Sequence, residues 1–142
     1  MKIYLASPLD QQYRDNLDKA QGILLDKGFD VYVPVVQKIE HAWDWPNNEW
    51  GLQVFRRDVD AIQNCDFMVV LNYGRQETTA GTAWEQGFAY GIGKKILLVE
   101  MTDNIQSLMV ANGRFATVKG FEGLNKYWFQ DPQPLRVDTE QK

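Results

Sequence analysis

The chain has 142 residues, 44% hydrophobic and 24% charged, which suits one globular domain with a sizeable core. Its formal net charge is −4 and no run of Lys or Arg exceeds two, so it presents no basic face for a nucleic-acid backbone or an anionic membrane. Cys65 is the one cysteine and His41 the one histidine, which excludes an intrachain disulfide, a thiolate cluster and a histidine-based metal site, and argues against a Ser-His-Asp triad.

The opening MKIYLASPLD has too short an apolar run for a signal peptide, and no stretch approaches ~18 apolar residues, so a cytoplasmic protein is expected. Within that segment KIYLA (Lys2–Ala6) is a run of strand formers ended by Ser7-Pro8. From Asp10, the residues Tyr13, Leu17, Ala20 and Leu24 recur at helical offsets, and Gly28 supplies the stop. FDVYVPVV (29–36) alternates, with Val31, Val33 and Val35 on one side; it predicts a second strand, and Pro34 puts it at an edge or strand end. Residues 37–50, QKIEHAWDWPNNEW, have no period yet carry Trp43, Trp45 and Trp50, which predicts a functional loop.

Leu52, Phe55, Val59 and Ile62 predict a helix over about 49–64. DFMVVL (Asp66–Leu71) is a nearly continuous apolar strand, as expected when both faces are covered. A helix from about Gly81 and a strand over Lys95–Val99 follow, then a short helix near 105–111, a strand at 115–118 and a last helix over 121–129. The domain is expected to span 1–130, with 131–142 a loose polar tail. Strands alternating with helices imply a single doubly wound α/β domain: a five-stranded parallel sheet in the flavodoxin-like order 2-1-3-4-5, helices on both faces, ligands at the carboxyl ends of the strands.

One residue stands out in TTAGTAWEQGFAYGIGKKILLV (78–99): Glu85. On a helix starting near Gly81 it shares a stripe with Phe88, Ala89 and Ile92, the apolar side. Acids are seldom buried unless paired or put to use. Glu85 either reaches solvent or caps an amide from the helix end, or it works on a ligand. Three features favour the second. The helix start lies at a strand's carboxyl end, a helix N-terminus favours an ionised carboxylate, and Gly81 leaves open backbone for a ligand to approach. GFAYGIGKK matches neither phosphate-loop pattern, so its glycines read as close packing and a helix stop.

The segment GTAWEQGFA (Gly81–Ala89) resembles the central motif of the nucleoside 2-deoxyribosyltransferase family. KIYLASPL at the start, FRRDVDAIQNCDFMVV (Phe55–Val70) and SLM (Ser107–Met109) stand in the family's order, so the resemblance covers most of residues 2–110. It implies a glycosyltransferase of purine and pyrimidine salvage that exchanges bases on 2-deoxynucleosides by double displacement, without metal or cofactor. Glu85 matches the nucleophile, Tyr4 the tyrosine that orients it, and Asp58 the acid that hydrogen-bonds the departing base. Trp50 matches a residue lining the base pocket, and Gln37 a base-contacting amide. Gly81, next to the acid, is expected to bind substrate by letting it approach the open backbone. Thr79 stands where the family often has a second aspartate; a hydroxyl can hydrogen-bond a base but cannot serve as its acid at neutral pH. Ser107, often Asn in the family, and Met109 would act in a neighbouring subunit's site, within a homo-oligomer expected to be a hexamer built as a trimer of dimers.

Residue by residue, other roles stay open. Asp58 beside Arg56 and Arg57 also fits a solvated helix face, Tyr4 and Met109 fit core packing, and the tryptophans fit a subunit interface as well as a base clamp. Two functional alternatives remain: an N-glycoside hydrolase acting on deoxynucleoside 5′-monophosphates, and a non-catalytic nucleotide-binding module. The loop SPLDQQYR argues against the hydrolase, because it has no Gly-rich phosphate cradle and Arg14 is the cation near it.

Overall fold

A computed structural model describes residues 1–34 and 47–136. Five strands form one sheet: β1 (Lys2–Ala6), β2 (Asp30–Tyr32), β3 (Phe67–Asn72), β4 (Lys95–Glu100) and β5 (Ala116–Lys119). The order is β2-β1-β3-β4-β5 and every pairing is parallel, which is the doubly wound arrangement expected from the alternation of elements. The helices are α1 (Arg14–Asp26), led by a 3-10 turn at Gln11–Tyr13, then α2 (Asn47–Asn64), α3 (Ala80–Gly91), α4 (Leu108–Asn112) and α5 (Gly120–Lys126). None of them is long and apolar enough to cross a membrane.

The pleat divides the core. Ile3 and Leu5 of β1, with Phe67, Val69 and Leu71 of β3, pack on α1 and α5 through Leu17, Leu24 and Leu124. Tyr4 and Ala6, with Met68 and Val70, face the other way and meet Ile62 of α2 and Ala89 of α3. This alternation decides which side chains of β1 can reach α3. Tyr4 is on that side and is fully buried.

Three elements differ from expectation. The second strand keeps Asp30–Tyr32 as paired residues, because Pro34 has no N–H to offer a ladder; Val35 and Val36 lie outside the described residues. The last helix stops at Lys126 rather than 129: Tyr127 turns extended (ψ 127°), and Tyr127 and Phe129 join Phe67 in an edge-to-face aromatic cluster. The chain beyond 130 is not loose up to Arg136. The Thr117 N–H at the open side of β5 donates to the Leu135 carbonyl at 2.7 Å, and the Tyr127 hydroxyl to that of Gln133 at 2.9 Å, so an edge strand's orphan donor is satisfied.

Candidate active site

The site forms where β3 ends and α3 begins. Asn72 closes an otherwise apolar strand and is buried; its Oδ1 accepts from the Gly74 N–H at 3.2 Å, while its amide donates to Oε1 of Gln106. Gly74 has φ +106°, and a Cβ there would sit 2.6 Å from Asn104 Cβ, so no other residue fits this turn. The Thr78 hydroxyl donates to the Gly74 carbonyl at 2.9 Å and completes the bend. Thr79 then caps α3: its Oγ1 accepts from the Thr82 N–H at 3.2 Å and lies 2.8 Å from the Thr82 hydroxyl.

Glu85, half-buried in the second turn of α3, points back at the sheet, where the Tyr4 hydroxyl donates to its Oε2. Burial pushes the Glu85 carboxyl up to about 7; the Tyr4 hydrogen bond opposes this, and Asp58 adds to it when ionised. Tyr4 itself is driven far above the ordinary phenol range by burial, then by the Glu85 charge, so it stays a donor.

Asp58 sits half-buried on α2, and its Oδ1 accepts from the Tyr32 hydroxyl at 2.7 Å. The β1–β2 register sets Tyr32 beside Tyr4, and the rings stack with centroids 5.3 Å apart at 25°. Two carboxyl groups are thus each held by a tyrosine through one oxygen, leaving the other free to act. Sequence reasoning missed Tyr32. The signal was present, since Val31 and Val33 on one side of the strand put Tyr32 on the other, but reading it required the strand register.

The remaining expected residues surround this pair unevenly. Trp50 is half-buried in the first turn of α2. Gly81 is exposed, with no heavy atom within 4 Å of where a Cβ would stand. Ser107 leads into α4 without a side-chain bond to the helix, and Leu108 and Met109 after it are 81% and 83% exposed. The buried Gln86, next to the nucleophile candidate, donates to the carbonyls of Val110 and Gly113, both at 2.8 Å, and docks α4 on α3. Gln37, Trp43 and Trp45 lie outside the described residues. No group of three or more His, Cys, Asp or Glu among the described residues is placed to hold a metal ion.

Because space at Gly81 is open while the site depends on close approach, Gly81→Ala is expected to fold normally. Its melting temperature should be unchanged or raised by the equivalent of about 0.5–1 kcal/mol. A rise in KM in steady-state assays would mark the lost space.

The model of one protein family, described as nucleoside 2-deoxyribosyltransferase, matches residues 3–123. The chain belongs to that family. Among solved structures, a 2-deoxyribosyltransferase from the psychrotolerant bacterium Bacillus psychrosaccharolyticus is 28% identical with a TM-score of 0.81, covering 94% of this chain and 98% of that one. A CMP N-glycosidase of Clostridium botulinum (19% identity, TM-score 0.57, 99% and 93% coverage) shares the fold. So does a conserved protein of Enterococcus faecalis V583 (22% identity, TM-score 0.55, 99% and 92% coverage). A search of curated proteins found no match. The deoxyribosyltransferase family match places Tyr4, Asp58, Thr79, Glu85 and Ser107 all within its span.

Proposed function

We propose that the protein transfers a 2-deoxyribosyl group between nucleobases. The observation that carries this reading is a half-buried carboxylate, Glu85, at the carboxyl end of a parallel sheet, with one oxygen held by the Tyr4 hydroxyl. A carboxylate so placed can attack an anomeric carbon. Its Oε1 bonds to C1′ as the C1′–N bond breaks and that electron pair passes to the base, which takes a proton from Asp58. A second base then attacks C1′, the ester to Glu85 breaks, and Asp58 recovers the proton, so the sugar keeps its configuration. With the Thr79 hydroxyl committed to the helix cap, Asp58 serves the base without a second acid.

Trp50 and Gln37 line the base side in this reading, and Gly81 the sugar side. The exposure of Leu108 and Met109 on a helix docked by Gln86 supports the expectation that Ser107 and Met109 complete a neighbouring subunit's site in a homo-oligomer.

The absence of an acid at position 79 also favours a hydrolase in which water replaces the acceptor base. Incubation with deoxyinosine, with and without free adenine, separates the two. Deoxyadenosine formed only with adenine is the expected result. Hypoxanthine release that ignores adenine, or turnover of the 5′-monophosphate alone, would establish hydrolysis, and no turnover would leave a binding module.

A further inference from the structure

We propose that Tyr32 is a positioning residue for Asp58, selecting which carboxylate oxygen faces the departing base; this rests on the transferase reading above. Asp58 stands mid-helix with a short side chain that would otherwise be free to rotate, and the Tyr32 hydroxyl fixes its Oδ1 at 2.7 Å. A donor on Oδ1 favours Oδ2 as the seat of any proton carried by Asp58, because the better acceptor is the unprotonated oxygen. Tyr32 is in turn held in place. It is the last residue of β2, its backbone pairs with Tyr4, and its ring stacks on the Tyr4 ring. The two tyrosines therefore set one oxygen of each carboxyl from a single rigid strand pair: Tyr4 holds Oε2 of Glu85 and Tyr32 holds Oδ1 of Asp58.

The consequence is a fixed division of labour at the reacting bond. As the C1′–N bond breaks, the proton passes from Oδ2 of Asp58 to the base, and the carboxylate left behind keeps its hydrogen bond from Tyr32. The two hydrogen bonds favour one oxygen of each carboxyl for the reaction, so both approach the glycosidic bond in one geometry. A half-buried phenol with an acceptor is also the arrangement burial demands, since burial is the main cause raising the Tyr32 phenol to about 12 and it remains a donor throughout the working range.

The test compares Tyr32→Phe, Asp58→Asn and the double variant on two donors, deoxyinosine and 7-methyl-2′-deoxyinosine, whose cationic base leaves without taking a proton. Tyr32→Phe keeps the ring and its stacking, and a thermal melt close to wild type verifies the fold. It is expected to lower kcat on deoxyinosine by about 10- to 100-fold, a part of the roughly 10²- to 10⁴-fold that general-acid assistance supplies because Asp58 itself remains, with KM changed less than about twofold. On the methylated donor the loss should stay under about threefold. The double variant should be no slower than Asp58→Asn alone, because both act through one group. Equal losses on both donors, no loss on either, or independent losses in the double variant would each overturn the proposal while leaving wild-type transfer intact. Inactivity of the wild type on both donors would overturn the transferase reading and this proposal together.

Discussion

Glu85→Ala is expected to fold and to lose transfer activity by roughly 10³-fold or more, because it removes the atom that bonds to the sugar rather than one that assists. Glu85→Gln should be equally inactive, and it adds a stability signature. The wild-type carboxyl is raised from 4.5 to about 7 in the folded protein, so between those values the folded state retains a proton that the unfolded chain has released. The contribution of Glu85 to stability is therefore full below about pH 4.5, falls as pH rises towards 7, and is lost above. The glutamine variant has no such loss. It should match wild type near pH 4 and exceed it near pH 8 by up to about 3 kcal/mol, read from denaturant midpoints at the two values. The same ionisation appears in kinetics: kcat/KM of the wild type should rise on its acid limb with a midpoint at about 7.

Tyr4→Phe should have the next largest effect. It removes the hydroxyl that holds Oε2 of Glu85 and opposes the effect of burial on its carboxyl. A hydrogen bond to a charged group contributes about 1.5–3 kcal/mol, which corresponds to roughly one to two pH units in the acid limb. The expected result is a 10- to 100-fold loss at pH 7, with the limb displaced to higher pH and much of the activity regained there. A loss of equal size at every pH would mean that Tyr4 only packs the core. The contrast with Glu85→Ala is diagnostic, since no pH restores a missing nucleophile.

The fold was legible because its signals are local. DFMVVL reads as a strand covered on both faces, and β3 is buried along its whole length. The helical offsets of Tyr13, Leu17 and Leu24 put the same residues into the core beneath α1. The oddness of Glu85 was legible for a similar reason: an acid on an apolar stripe needs an explanation, and Tyr4 provides its partner. What escaped notice depends on contacts between elements. Tyr32 gains its place from the β1–β2 register, and Asn72 from a bracket to Gln106 that lies 34 residues away. The end of α5 fell where it did because Tyr127 and Phe129 pack better against Phe67 than a helix would allow, and helical spacing carries no sign of that. The upward push of burial on the Glu85 carboxyl also escaped notice, because burial is a tertiary quantity.

The ester at Glu85 is the claim on which the rest depends, and it can be weighed. Brief incubation with deoxyinosine in the absence of any acceptor base, acid quench and peptide mass spectrometry should find one deoxyribosyl group attached to the peptide containing Glu85. The adduct should disappear when adenine is added before the quench. Turnover of deoxyinosine with no such adduct at Glu85, or with the group attached to another residue, would contradict the account.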